Sequence, residues 1–198
     1  MDPNIKFESP DGTGDCSNSY TSLISSLMFI AVATRPDIAY AVNRLAMYTA
    51  NPDLHHWTAT KRILRYLSGT HNQGITYLAG NNTKRKLTGY SDTSLASLND
   101  MSSVSGYVFL AAGGVITWRS KKQTAILWSS TEAEYMCLAD AACEAAWLRN
   151  LYNELGFPIE GPTTVYGDNQ SALAIANNPQ YHKHTKHFDI KSHSSERK

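Results

Sequence analysis

Apolar residues in the second half of the chain recur at intervals of three or four over a long stretch. This is the spacing of one face of an amphipathic helix. The recurring positions are Tyr135, Leu138, Ala142, Ala145, Leu148, Tyr152 and Leu155. Two overlapping helix-start signatures precede them, because Ser129 and Thr131 each have a glutamate three residues further on. The pattern predicts a long helix that ends at Gly156.

Shorter runs of apolar, β-branched and aromatic residues on both sides of this helix predict strands. The runs are residues 87–92, 104–110, 114–119 and 163–168. Residues 111–113, Ala-Ala-Gly, predict a hairpin turn between the second and third runs, and residues 170–177 predict a short helix. Three strands followed by helix, strand and helix predict an α/β fold with a mixed sheet.

The first part of the chain has a helical pattern instead. The predicted helices cover residues 20–33, 37–49 and 55–67. Leu23, Leu27 and Ile30 share one face of the first helix, and Pro36 can open the second. A turn at residues 51–53 precedes the third and provides its cap. We therefore predict an extended arm at residues 1–19, a helical segment at 20–85 and an α/β domain at 86–198.

Composition limits the partners and the compartment. The 198 residues include 18 Lys and Arg and 17 Asp and Glu, so any nucleic-acid surface must be local. Lys61, Arg62 and Arg65 on the third helix could follow a phosphate backbone, although a solvated helix face is an equally good interpretation. Three cysteines without metal-binding spacing favour a reducing compartment. No apolar run has the length of a membrane span, and the chain does not begin with a secretory signal.

Three acidic residues gain importance from the predicted topology. If the long helix connects the strands that end at Asp92 and Asp168, both aspartates emerge at the carboxyl end of two parallel neighbours. Glu134, in the first turn of that helix, can pack beside this edge. Three converging carboxylates without matching cations repel one another, and they are typical of a divalent metal site. Taken singly, each residue has a structural interpretation as a cap or strand-end residue.

Six motifs, in this order, resemble the ribonuclease H domain of Ty1/copia-type retrotransposon Pol polyproteins. They are residues 89–92 (GYSD), 105–109 (SGYVF), 118–123 (WRSKKQ), 129–135 (SSTEAEY), 166–172 (YGDNQSA) and 185–190 (TKHFDI). Upstream, residues 34–42 and 61–67 resemble the segment that joins the reverse transcriptase to this domain. The resemblance implies a ribonuclease H-like mixed sheet flanked by helices and preceded by a small helical segment.

The resemblance also implies a reaction, the metal-dependent cleavage of the RNA strand of RNA·DNA hybrids during reverse transcription. Asp92 would bridge two Mg²⁺ ions, with Glu134 on the leaving-group side and Asp168 on the nucleophile side, and Mn²⁺ is a possible substitute. The residues expected to contact the hybrid are Lys121, Lys122, Asn169, Gln170 and Lys186. The expected protein partner is the reverse transcriptase portion of the same polyprotein. The expected location is the cytoplasm, in virus-like particles, or the nucleus, without secretion or membrane attachment.

The chain also departs from the family pattern. Residues 93–95 replace a second acid and a tryptophan, and residues 101–102 replace an Arg-Lys pair. Family members continue to a motif that supplies a fourth carboxylate, but this chain diverges near Ser192, which leaves Asp189 as the candidate ligand of a C-terminally truncated domain. The alternative is a catalytically impaired remnant that only binds nucleic acid, or a domain that needs the missing polymerase part. No Tyr-x-Asp-Asp motif is present, so DNA synthesis is not expected.

Overall fold

The computed structural model describes residues 17–78, 86–94, 103–123 and 129–177. Its described residues divide into two compact units. A helical unit contains the residues up to Thr76 together with Trp118–Lys121. An α/β unit contains the residues of Tyr77–Thr117 and those from Lys122 onward.

Three helices and a 3-10 turn build the helical unit. They are α1 (Ser17–Ala33), the 3-10 turn (Pro36–Ile38), α2 (Ala39–Ala46) and α3 (Leu54–Gly69). Their buried core consists of Tyr20, Ile24, Leu27, Ala31, Ile38, Val42, Leu45, Ala59 and Ile63. The hydroxyl of Tyr20 donates to the carbonyl oxygen of Leu45 at 2.8 Å, so α1 and α2 share a polar contact as well as an apolar one. No helix within the described residues is long and apolar enough to cross a bilayer.

The buried face of α1 differs from the sequence prediction. Leu23 and Ile30 were placed on it with Leu27, but both are only partly buried. Tyr20, Ile24 and Ala31 lie inside instead. The actual stripe follows the same intervals of three and four, rotated by part of a turn. Several apolar residues surround this helix, so periodicity alone did not distinguish the two faces.

The bounds of the other two helices also differ. The predicted helix at residues 37–49 is a 3-10 turn followed by a shorter α2, and its end loosens because Tyr48 and Thr49 donate to carbonyls three residues back. The third helix was predicted to end at residue 67, but α3 continues to Gly69. It begins at Leu54, one residue earlier than predicted, and its predicted cap is confirmed, since the Asp53 carboxylate accepts from the backbone N–H of His56 at 2.8 Å.

Four strands form the sheet of the α/β unit, and two helices follow the hairpin. The strands are β1 (Thr88–Ser94), β2 (Val104–Ala111), β3 (Gly114–Lys122) and β4 (Thr164–Tyr166). The sheet order is β3-β2-β1-β4, with β1 antiparallel to β2 and parallel to β4. The long helix α4 (Ser130–Glu154) connects β3 to β4, and α5 (Gln170–Asn177) follows β4. This arrangement confirms the predicted mixed α/β class and is consistent with a ribonuclease H-like fold.

The predicted hairpin between β2 and β3 is a two-residue turn. Ala112 has φ of 50° and Gly113 has φ of 79°, so both central residues are left-handed. Two left-handed residues define a type I′ turn, whose twist matches that of the flanking strands. Glycine adopts this conformation without steric cost, and Ala112 is the less favourable member of the pair.

The ends of α4 follow the sequence signals. The Ser129 side chain accepts from the backbone N–H of Glu132, which is the first of the two predicted start signatures. Gly156 has φ of 78° and donates to the carbonyl of Asn153 at 3.0 Å, and Phe157 donates to that of Tyr152 at 2.8 Å. These two bonds form a Schellman motif, which stops the helix where glycine was predicted to stop it.

The buried face of α4 was predicted incorrectly in its first half. The buried residues are Ala133, Cys137, Ala141, Ala145 and Leu148, and the predicted apolar stripe contained only the last two. Ala142 and Leu155 are exposed. Small side chains four residues apart let the helix backbone approach β1 and β2 closely. The Cys137 thiol therefore contacts the carbonyls of Asp92 and Gly106 at 3.2 and 3.3 Å.

Gly89 on β1 gives a testable prediction about this core. A Cβ at this position would lie 2.4 Å from an edge carbon of the Phe109 ring, which is fully buried. The ring cannot yield without displacing its neighbours, so Gly89→Ala should cost about 1–3 kcal/mol of unfolding free energy. Urea unfolding measures this change. Gly69→Ala is the matched control, because no heavy atom lies within 4 Å of its added Cβ, and it should not lower stability. Equal stability of both variants would contradict the close contact between Gly89 and the Phe109 ring.

Candidate metal centre

The alternating burial of β1 places Asp92 on the open face of the sheet. Ser91 and Thr93 are buried, whereas Tyr90, Asp92 and Ser94 are exposed. Asp92 was predicted at the end of its strand, but β1 continues two residues further, to Ser94. The carboxylate of Asp92 accepts from the backbone N–H of Thr93 at 2.8 Å. A position within a paired strand holds this carboxylate on a rigid backbone.

The parallel pairing of β1 with β4 brings Asp168 to the level of Asp92. Tyr90 pairs with Tyr166 in the register of the two strands, and each aspartate follows its tyrosine by two residues. The two tyrosine rings stack, with centroids 5.2 Å apart. Asp168 is exposed and lies beyond the end of β4, two residues before the start of α5. The predicted parallel pairing of the two aspartate-bearing strands is therefore confirmed, but the long helix follows β3 and not β1, because the β2–β3 hairpin lies between them in the chain.

Glu134 enters the same region from the first turn of α4. The preceding residue, Ala133, is fully buried, and its carbonyl accepts from the Thr93 hydroxyl at 3.2 Å. The Gln123 side-chain amide donates to the same carbonyl at 3.0 Å. These two bonds fix the start of α4 against β1. Glu134 is consequently half-buried at the edge of the sheet rather than free in solvent.

The structure brings the three carboxylates together. Asp92, Glu134 and Asp168 each offer an oxygen, and these oxygens all lie within 4.8 Å of one another. Among the described residues, no lysine, arginine or histidine forms an ion pair with any of the three. Opposite ligands of a Mg²⁺ ion lie about 4.2 Å apart and adjacent ligands about 3.0 Å apart, because each Mg–O bond is about 2.1 Å long. The three carboxylate oxygens could hold a divalent metal ion if the side chains move closer together.

Glu134 shows the electrostatic cost of this cluster. Burial raises the pKa of Glu134 above its ordinary value of 4.5, and the charges of Asp92 and Asp168 raise it further. Hydrogen bonding to Thr93 acts in the opposite direction but is weaker. The folded protein therefore disfavours the ionised form of Glu134, and a bound cation would reverse this preference.

Residues that position the cluster were missing from the sequence prediction. Thr93, Gln123 and Cys137 join β1, β2 and the start of α4 through the hydrogen bonds given above. None of these three residues has a carboxylate, so a search of the sequence for metal ligands does not find them. Only the alternation along β1 could have indicated that Thr93 faces the helix, and the role of Gln123 depends entirely on tertiary contacts.

The structure places the predicted nucleic-acid contacts in different settings. The Asn169 side-chain oxygen accepts from the backbone N–H of Ala172 at 3.0 Å, so this residue caps α5, and Gln170 is the exposed first residue of that helix. Lys121 and Lys122 are the exposed last residues of β3, two strands away from β1. Lys186 and Asp189 lie outside the described residues.

Comparison with known proteins gives relatives that cover most of the chain. It is 39% identical over 175 residues to the retrovirus-related Pol polyprotein from transposon TNT 1-94 of Nicotiana tabacum, which is 88% of this chain and 13% of that protein. It is 41% identical over 175 residues to the corresponding polyprotein from transposon RE2 of Arabidopsis thaliana, 88% of this chain and 12% of that protein. The secreted RxLR effector protein 161 of Plasmopara viticola is 44% identical over 130 residues, 65% of this chain and 90% of the effector.

The chain spans about an eighth of the length of the two Pol polyproteins. No family model matches the sequence. No solved structure matches it either.

Proposed function

We propose that the chain is the ribonuclease H portion of a retrotransposon Pol polyprotein, because its Pol polyprotein relatives match 88% of its length at about 40% identity. In this proposal it hydrolyses the RNA strand of an RNA·DNA hybrid during reverse transcription. Magnesium is the proposed cofactor, and manganese can replace it. Residues 20–85 are the proposed helical connection to the reverse transcriptase, and residues 86–198 are the nuclease domain.

The convergence of Asp92, Glu134 and Asp168 is the observation that supports this proposal. Their oxygens lie within 4.8 Å of one another and have no cationic partner among the described residues. Acidic clusters of this kind are costly for folding alone, because they concentrate like charges. A hard divalent cation bound by carboxylate oxygens removes that cost. The family supplies the second argument, since hybrids are formed wherever a retrotransposon is reverse transcribed.

The proposed roles of the three acids are those that the family resemblance implies. A pair of bound Mg²⁺ ions would supply an activated water and charge stabilisation at the leaving oxygen. Asp92, on β1, would be the ligand that both ions share. Glu134, on α4, would serve the leaving-group side, and Asp168, beyond β4, would serve the nucleophile side. Asp189 is a further candidate ligand outside the described residues.

The proposed substrate contacts surround this cluster. Gln170 and the backbone at Asn169 would meet the minor groove, where 2′-hydroxyl groups distinguish RNA from DNA. Lys121, Lys122 and Lys186 would contact phosphates, which fix position without reading sequence. The reverse transcriptase portion of the same polyprotein is the proposed protein partner. The proposed location is the cytoplasm, in virus-like particles, or the nucleus.

Cleavage of a labelled hybrid tests the proposal. With Mg²⁺, the chain should cut the RNA strand of an RNA·DNA duplex and leave the DNA strand and single-stranded RNA intact. EDTA should stop the reaction, because the carboxylates alone cannot activate water. No cleavage with either Mg²⁺ or Mn²⁺ would refute the proposal, as would cleavage of single-stranded RNA that persists in EDTA.

A second candidate is a remnant that binds nucleic acid without cutting it, or that cuts only with its polymerase part. The effector match favours this candidate, because the chain covers 90% of a protein that is named for something other than Pol activity. Hybrid binding without cleavage in the same assay distinguishes it from the first. If adding the polymerase part restores cleavage, the chain is a nuclease that needs this part. If it does not, the chain is a remnant that only binds nucleic acid.

A further inference from the structure

The exposed face of α3 concentrates positive charge outside the acidic cluster. Lys61, Arg62 and Arg65 are all exposed, whereas His56, Ala59, Thr60 and Ile63 of the same helix are buried. Residues 54–69 contain no Asp or Glu. We refer to Lys61, Arg62 and Arg65 as the α3 basic face.

Residues 17–76, the described part of the chain around this face, contain few acids. Residues 17–76 contain five Lys and Arg but only two acids, in a chain whose net charge is +1. Both acids are already engaged, since Asp37 pairs with Arg35 at 2.7 Å and Asp53 caps α3. Within the part of the chain that the structure describes, neither Lys61 nor Arg65 has a carboxylate partner. Among the described residues, the charges of Lys61 and Arg65 are therefore not offset by an ion pair.

The side chains are also arranged for contact with an extended anion. Lys61 and Arg65 are four residues apart, so they project from the same side of α3, about 6 Å apart along its axis. The ammonium of Lys61 lies 5.3 Å from the centroid of the Trp57 ring, an arrangement that restrains this long side chain on the helix surface. A restrained cation loses less entropy on binding than a free one.

We propose that the α3 basic face binds the sugar–phosphate backbone of a nucleic-acid duplex, at a position separate from the acidic cluster. The kind of duplex, an RNA·DNA hybrid, rests on the proposed function. The choice of this surface rests on the complementarity between its positive charges and the phosphates. Phosphates match the observed chemistry, because they present repeated anions and need no apolar groove. Such contacts fix the duplex on the protein without reading its sequence.

Two double variants with the same change in net charge test the proposal. Lys61→Gln with Arg65→Gln removes two cations from the face. Ser22→Glu with Ser26→Glu adds two anions to exposed positions of α1 and serves as the matched control. Both are made together with Asp92→Asn, so that no hybrid is cut during the measurement. Fluorescence anisotropy of a labelled hybrid is recorded across a salt series.

The α3 variant should bind roughly tenfold or more weakly at about 0.1 M salt. The slope of log affinity against log salt should become less steep by about two, because each lost phosphate contact reduces its magnitude by about one. The control should keep the original slope. Equal weakening by both variants would show only a net-charge effect and would overturn the proposal, as would unchanged binding by the α3 variant.

A single variant guards against loss of folding. Arg65→Gln alone should reduce the salt slope by about one, because this side chain makes no ion pair or hydrogen bond among the described residues. An unchanged slope in a folded Arg65→Gln protein overturns the proposal. The assay needs no cleavage, so its failure is distinguishable from failure of the nuclease proposal.

Discussion

Asp92→Asn should lower the rate of hybrid cleavage by at least about a thousandfold. Bound metal stabilises the charge of the transition state by several kcal/mol, and each 1.36 kcal/mol is a factor of ten in rate. Asp92 is the one acid of the three that lies within a paired strand, since it is opposite Gly106 of β2, and β4 pairs with residues 88–90 of the same strand. An amide there keeps the shape of the side chain but removes the charge that a shared ion requires.

The matched control is Asp140→Asn, which removes a carboxylate from an exposed position of α4, outside the acidic cluster. This variant should retain the cleavage rate of the unmodified chain. Rates are measured with a labelled hybrid under single-turnover conditions, in Mg²⁺ and in Mn²⁺. Substantial cleavage by Asp92→Asn would place the nuclease site elsewhere. Equal losses in both variants would indicate a general effect of charge on hybrid binding.

Much of the α/β unit could be predicted because its signals are local. The Ser129 cap, the terminal Gly156 and the turn at Gly113 each have a backbone reason that is visible in the sequence. The parallel pairing of β1 and β4 also followed from local information. Two strand-like runs with an aspartate near the end were expected to be parallel because a long helix precedes the second run, and β1 and β4 do pair in parallel.

The buried face of α4 could not be predicted in the same way. The predicted face contained the large apolar residues Tyr135 and Leu138, but the buried residues in this part of the helix are Ala133, Cys137 and Ala141. Small residues contribute little to the hydrophobic periodicity of a helix, so the sequence pattern does not mark them as buried. Whether they are buried depends on how near the opposing backbone lies. The same reason hid the hydrogen bonds from Thr93 and Gln123 to the carbonyl of Ala133. These bonds depend on tertiary contact between segments far apart in sequence.

Glu134 should make a contribution to the stability of the metal-free chain that falls as pH rises, and Glu134→Gln should remove this contribution. The pKa of Glu134 is raised in the folded state, mainly by burial and then by Asp92 and Asp168. Below its ordinary pKa of 4.5 the group is protonated in both states and costs nothing. As pH rises through the interval between that value and the raised pKa, the unfolded chain ionises first, so the free energy of unfolding decreases. Above this interval the loss is complete.

Metal should reverse the order of stability at neutral pH. Without metal, Glu134→Gln should melt about 2–4 °C above the unmodified chain, because relieving about 1 kcal/mol of repulsion shifts the midpoint of a chain of this size by that amount. Saturating Mg²⁺ or Mn²⁺, at about 100 times the dissociation constant, adds about 2.7 kcal/mol to the unmodified chain, or roughly 5–10 °C. The variant should gain much less, since it has lost one of three carboxylate ligands. Calorimetry with and without EDTA measures both changes, and Asp140→Asn again controls for a lost charge on α4. If the unmodified chain and Glu134→Gln have the same midpoint and the same response to metal, the three carboxylates do not form a metal site.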